Sequence, residues 1–384
     1  MRLRQEILNV VESPLVKIAT AAEAMPGSIK LCYGESDMPT PEFICRAAYD
    51  AALAGHTFYT HTAGAPELRD AIANKVFELQ GVTYRRPEVM STVGGTMAIN
   101  IAIRALVGRG DNAVIVSPAY AIYANSVIMS GGEPRLVPLA RTGRHFNLDL
   151  ERVEHAIDRA TRLLVVNSPS NPTGWIITEA EQRALSGMAE RHDVVILSDE
   201  VYERLAFDTP IAPSLARIVE NKDRLIVVNS FSKTYNMTGW RLGWAQSSEG
   251  VIRQLYKAVE FITSNPSAPV QQAGIVALRD GEDYVRDLRE HYDRRRAQVS
   301  DALRSLPGVT LPEPRGAFYA FPHVDGLTDS AAFTEELLKA TGVALAPGVA
   351  FGASGEGYVR LCFAASEGTV GEALARIQTF LGRR

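Results

Sequence analysis

Residues 228–244 read Val228-Asn229-Ser230-Phe231-Ser232-Lys233-Thr234-Tyr235-Asn236-Met237-Thr238-Gly239-Trp240-Arg241-Leu242-Gly243-Trp244. An apolar run gives way to small hydroxyl residues, then to a lysine, then to an arginine eight positions later. A strand ending this way delivers its lysine to the crevice at the carboxyl ends of an open α/β sheet, where such sheets bind ligands. A lysine desolvated there loses its proton readily and attacks carbonyl carbon. Taken alone, a lysine past a strand is an ordinary surface residue, so the surroundings decide.

Outward from this stretch, short β-rich runs alternate with helical ones. Strands are predicted over residues 89–93, 113–117, 135–138, 163–167, 194–198, 225–229 and 242–246. Several are continuously apolar, as strands buried on both faces of a parallel sheet must be. Helices are predicted between them, over 66–79, 97–106, 179–190 and 251–260. This is the rhythm of an α/β fold with a mostly parallel sheet. The last quarter differs. A charged stretch, 281–306, carries Arg294, Arg295 and Arg296 and reads as a solvated helix face. Strands over 317–321 and 358–363 and a terminal helix from about Thr369 follow. The expected division is a large α/β domain over 46–280 and a smaller α+β domain built from 1–45 with 281–384.

The chain has 384 residues, 46% hydrophobic and 22% charged, with a net charge of −4. That composition supports a large core and excludes global disorder. The balanced charge argues against nucleic acid or an anionic membrane as a partner. No apolar run approaches the ~18 residues of a membrane span. Residues 1–18 read as an amphipathic segment without a signal-peptide pattern. Cys32, Cys45 and Cys362 form no C-x-x-C pair, which fits a reducing cytoplasm rather than a disulfide framework. The seven histidines have no metal-ligand spacing, so no metal site is expected.

The segment around Lys233 resembles the cofactor-lysine motif of the class I/II aminotransferases, fold-type I enzymes that use pyridoxal 5'-phosphate; the acid-specific aspartate branch is the one most resembled. The resemblance extends along nearly the whole chain. Gly34-Glu35-Ser36-Asp37, Phe58-Tyr59, Val93-Gly94-Gly95-Thr96, Ser117-Pro118-Ala119-Tyr120, Asn167-Ser168-Pro169-Ser170-Asn171-Pro172-Thr173-Gly174, Asp199-Glu200-Val201-Tyr202 and Arg360 fall in that family's order. Each pattern alone is weak; the ordered set is specific.

The resemblance implies that Lys233 forms the Schiff base with the cofactor and then shuttles a proton, and that Asp199 pairs with the pyridine nitrogen. A bare reading of Asp199 is an N-cap for a helix over 200–205. Asn171 and Tyr202 are implied as partners of the ring oxygen, with Asn171 also serving a strong turn signal. Gly95 and Thr96 at a helix N-terminus, Ser230, Ser232 and the fork of Arg241 are implied to hold the phosphate. Tyr120 is implied to stack on the ring. Tyr123 is ambiguous and is left out of the site. Arg360, with the Gly34 N–H, is implied to grip the substrate carboxylate. Tyr59 is implied to reach the phosphate of a neighbouring subunit, which makes the protein a homodimer with shared active sites.

Thr96 stands where the acid-specific branch often has a lysine, so aspartate is not the only donor to consider; a neutral or aromatic one fits as well. The expected activity is transfer of an amino group from an L-amino acid to a 2-oxo acid, 2-oxoglutarate first, by a ping-pong cycle. The alternative is a C–S β-elimination lyase using the same residues. A regulator with a fused DNA-binding domain is disfavoured, because only about 30 residues precede the first motif. Ser230-Phe231-Ser232-Lys233 also satisfies the S-x-x-K pattern of serine β-lactamases, but the S-D-N and K-T-G that should follow are missing. A Rossmann nucleotide site lacks its G-x-G-x-x-G spacing.

Overall fold

The computed structural model describes residues 3–382. Met1 and Arg2, at the start of the amphipathic segment, and Arg383 and Arg384 lie outside the described residues.

Seven strands form the central sheet: β1 (Val89–Thr92), β2 (Asn112–Ser117), β3 (Glu133–Pro138), β4 (Thr161–Asn167), β5 (Val195–Asp199), β6 (Leu225–Ser230) and β7 (Gly243–Gln246). Their order across the sheet is β1-β7-β6-β5-β4-β2-β3. β7 runs antiparallel to both neighbours and the other pairs are parallel. The predicted strands are all present, with ends shifted by one or two residues. The apolar runs work as expected, because successive residues feed opposite faces. Leu164, Val166, Ile196 and Val227 enter one core layer, whereas Leu163, Val165, Leu197 and Ile226 enter the other.

Helices cover both faces. One layer includes Glu42–Leu53, Pro66–Gln80 and Ala268–Asp280. The other includes Gly94–Leu106, Ile122–Ser130 and Glu249–Glu260. The predicted helix at 97–106 begins three residues earlier, at Gly94. Glycine is a poor helix former, so propensity misplaces this start. Packing requires it: a Cβ on Gly243, where β7 begins, would sit 2.6 Å from the Gly95 nitrogen and 2.7 Å from the Gly94 carbonyl carbon.

A further core gathers the three-stranded sheet of Tyr319–Ala320, Ala346–Pro347 and Val359–Cys362. Helices Glu282–Arg304, Ser330–Thr341 and Glu367–Leu381 pack on it. Ile29–Lys30 pairs in parallel with Val343–Ala344. Gln5–Leu8 instead reaches the large sheet's helices, where Glu6 pairs with Arg109. The solvated-face reading of Arg294–Arg296 needs correction. Arg294 is exposed, but Arg295 is buried, donating to Glu367 (2.8 Å) and Gln298 (2.6 Å). Arg296 lies over the Phe207 ring at 5.0 Å. Long arginine stems cover apolar surface while their heads find acceptors, which a count of charges does not reveal.

Candidate active site

Register assembles the site. Asn167 and Asp199, the last residues of β4 and β5, are paired neighbours, and Asp199 pairs in turn with Val228 of β6. β6 then runs into the short helix Phe231–Thr234, whose start is capped by the Ser230 hydroxyl accepting from the Ser232 N–H (3.1 Å). Lys233 therefore emerges beside Asp199, at the carboxyl ends of the strands. The cavity there has a volume of about 340 Å³. Its wall holds every residue named from the sequence for this site except Tyr59: Gly34, Gly95, Thr96, Tyr120, Asn171, Asp199, Tyr202, Ser230, Ser232, Lys233, Arg241 and Arg360. Tyr59 is 89% exposed and lines a separate surface hollow with Phe58 and Pro266.

Burial pushes the Lys233 amine down to about 8, and the nearby Arg360 and Arg241 charges act in the same direction. Its Nζ donates to the Gly34 carbonyl at 2.6 Å. Burial pushes the Asp199 carboxyl up to about 6, against the opposing pull of Tyr123, the Val201 N–H and Lys233. Asp199 caps no helix. Residues 201–204 form turns, and its Oδ1 accepts from the Val201 N–H at 3.3 Å.

Tyr123 belongs to the site after all: its hydroxyl donates to Asp199 Oδ2 at 2.6 Å. Burial holds that phenol well above its ordinary range, so it stays a donor. Asn167, quoted from the sequence within its motif but given no role, donates to the Asp199 carbonyl (3.0 Å) and accepts from the Asn171 N–H (2.8 Å). A polar residue ending an apolar strand was the available signal for Asn167. Nothing local links Tyr123 to an aspartate 76 positions away.

Tyr123→Phe tests this contact. Asp199 titrates higher in the folded chain than unfolded, so its contribution is fully present below about 4 and is lost as pH rises through about 6. The Tyr123 donor limits that loss. At pH 8 its removal should cost about 1.5–3 kcal/mol, and at pH 4, where the carboxyl is protonated, about 1 kcal/mol. Denaturant midpoints of the cofactor-free protein at the two pH values measure this, and equal losses would contradict the ionic contact.

Arg360 is 1% exposed. Its Nη1 donates to Asn171 Oδ1 (2.8 Å) and its Nη2 to the Cys32 carbonyl, while its Nε has no partner. No carboxylate pairs with it among the described residues. A buried guanidinium with only neutral acceptors and a free N–H is costly until an anion arrives. Across the cavity, the N-terminal turn of Gly94–Leu106 has no side-chain cap, which leaves its N–H groups open to an anion. A Cβ on Gly94 would collide with the Arg241 guanidinium, so the glycine keeps that cradle open. Two anion sites thus flank an amine and a buried acid, and this donor set fits pyridoxal phosphate together with a carboxylate substrate. The described residues contain no cluster able to hold a metal ion.

The sequence family described as aminotransferase class I and II matches residues 26–377. The chain belongs to that family. This aminotransferase is 36% identical to the aspartate aminotransferase of Pyrococcus horikoshii, over 99% of this chain and 97% of that protein. It is 35% identical to the aromatic-amino-acid aminotransferase 2 of Thermococcus litoralis, over 99% and 98%. Its fold matches the solved aspartate aminotransferase of Thermus thermophilus with a TM-score of 0.93, at 34% identity over 99% and 100% of the two chains. The expected α/β fold of type I therefore holds, and the enzyme is a transaminase. No described helix is long and apolar enough to cross a membrane.

Proposed function

We propose that this aminotransferase passes the amino group of an L-amino acid to a 2-oxo acid, 2-oxoglutarate being the acceptor, in a ping-pong cycle on pyridoxal 5'-phosphate carried by Lys233. The observation that carries the reading is the convergence of the Lys233 amine, the Asp199 carboxyl and the unpaired Arg360 guanidinium on one cavity.

When bound, pyridoxal phosphate supplies a carbonyl carbon for amines and a ring that accepts the electron pair left by a departing proton. The chain's residues do the rest. Lys233 would hold the group through that carbonyl carbon, and its low pKa keeps a useful fraction of the amine neutral near pH 8. With a substrate amine in its place, Lys233 Nζ would remove the substrate Cα proton and return it to the former carbonyl carbon, on the far side of the nitrogen. Asp199, which accepts from the Tyr123 hydroxyl, would pair with the ring nitrogen and keep a proton there. Tyr202 and Asn171 would hydrogen-bond the ring oxygen, and Tyr120 would cover the ring face. Arg241, Ser230, Ser232 and the Gly95–Thr96 turn would hold the phosphate. Arg360 fixes the substrate carboxylate so that the Cα–H bond points at Lys233.

The proposal includes two domains, 46–280 and 1–45 with 281–384, the smaller closing on the substrate through Arg360 and excluding water. It includes a homodimer in which Tyr59 completes the partner's phosphate site. The exposure of Phe58 (82%) and Tyr59 (89%) at one hollow supports that surface. It places the enzyme in the cytoplasm, which suits three unpaired cysteines.

Single amino acids added without an acceptor test the reading. The cofactor's visible absorbance should fall stoichiometrically and return with 2-oxoglutarate. Continuous release of ammonia and pyruvate from a cysteine conjugate, with the absorbance retained, would establish a lyase instead.

A further inference from the structure

Tyr319 carries no role in the reading above, yet it touches three parts of it. Its hydroxyl lies 2.7 Å from that of Tyr202, and both rings are buried. Its ring face lies under Arg360, 4.5 Å from the guanidinium carbon, with Phe351 on the same group at 4.8 Å. Its hydroxyl also fills the space where a Cβ on Gly34 would stand, and the Gly34 carbonyl is the acceptor for Lys233.

We propose that Tyr319 is a positioning residue with two separable duties: its hydroxyl strengthens Tyr202 as a donor to the cofactor ring oxygen, and its ring fixes the plane of Arg360 for the substrate carboxylate. The inference rests on the proposed function. A phenol has one proton. When Tyr202 gives its proton to the ring oxygen, the bond between the tyrosines must run from Tyr319 Oη–H to Tyr202 Oη. Accepting that bond polarises the Tyr202 hydroxyl and makes it the better donor. Burial raises both phenols well above their ordinary range, so both keep their protons. The other groups facing the pair are Arg360, Cys362, Asp199 and Tyr120. The second duty follows from geometry. The Arg360 guanidinium lies against two aromatic faces, an arrangement that leaves its edge, including the unpaired Nε, for an anion.

Two variants of the cofactor-loaded enzyme separate the duties. Tyr319→Phe removes the hydroxyl and keeps the ring. A donor at the ring oxygen favours the deprotonated form of the lysine-linked cofactor. The pH midpoint of the visible absorbance change should therefore move upward by roughly 0.2–0.6 unit. Tyr319→Leu removes both features. It should show the same upward movement and, beyond Tyr319→Phe, raise the half-saturating concentration of an amino acid donor by ~10-fold. A Tyr319→Phe midpoint that stays in place or moves down overturns the first duty. Equal half-saturation in the two variants overturns the second. Should Tyr319→Leu not fold, Tyr319→Met, which fills more of the volume without an aromatic face, takes its place: half-saturation raised above that of Tyr319→Phe supports the second duty, and equal half-saturation overturns it. A wild-type protein that takes up pyridoxal phosphate without a pH-dependent visible band would instead overturn the proposed function itself.

Discussion

Lys233→Ala is expected to yield a folded protein with transamination reduced by at least ~10⁴-fold, beyond what proton transfer alone contributes in a typical enzyme. The variant loses the covalent link to the cofactor and the only neutral amine placed to move a proton across it. No other lysine lines the cavity. The fold should not suffer. Lys233 titrates lower in the folded chain than unfolded, so the folded state gains from this group only as pH rises through about 8 toward the unfolded value. Near pH 7 the wild-type protein holds a desolvated cation with a single carbonyl acceptor. The alanine variant should accordingly melt no lower than wild type at pH 7, and should lose ground relative to it above pH 9. Single-turnover assays with the cofactor added, together with melts at the two pH values, check both statements. Residual turnover within 100-fold of wild type would remove Lys233 from the chemistry.

Arg360→Ala is expected to lower kcat/KM by ~10²–10⁴-fold, mostly through KM. The estimate follows from a buried charge-assisted pair, whose rupture costs about 3–5 kcal/mol. Arg360→Lys is the sharper variant. It keeps the charge and loses the planar fork, so a loss close to that of alanine would show that two-pronged geometry, rather than charge, holds the carboxylate. Cofactor uptake, read from the visible band, should persist in both. Steady-state kinetics with the best donor measure the effect, and an unchanged KM would exclude Arg360 as the anchor.

The order of strands and the lysine at the end of β6 were legible because buried parallel strands are written as apolar runs, and because the cavity lies where those runs stop. Lys233, Asp199 and Asn171 each sit within a few residues of such an end, so local patterns mark them. Arg360 became legible only through the family resemblance, since an arginine on a strand of a second sheet carries no local sign of a buried anion site. Tyr123 and Tyr319 stayed hidden for a related reason. Their contacts with Asp199 and Tyr202 span 76 and 117 positions, and an aromatic residue in an apolar stretch looks the same whether its hydroxyl has a task or not. Arg295 misled in the opposite direction, because charge density on a helix does not disclose which head groups fold inward toward Glu367.

The antiparallel strand has a consequence for how the chain comes off the ribosome. β1 sits at the edge of the sheet, where β7 is its only strand partner among the described residues. It is synthesised early, yet its partner follows after roughly 150 residues, the interval from Thr92 to Gly243. At elongation rates of ~5–20 residues per second, that edge stays unpaired for ~8–30 seconds. Throughout this wait the helix beginning at Gly94 lacks the strand whose backbone presses against it, so the anion cradle at its start cannot take its final shape before roughly two-thirds of the chain has been made.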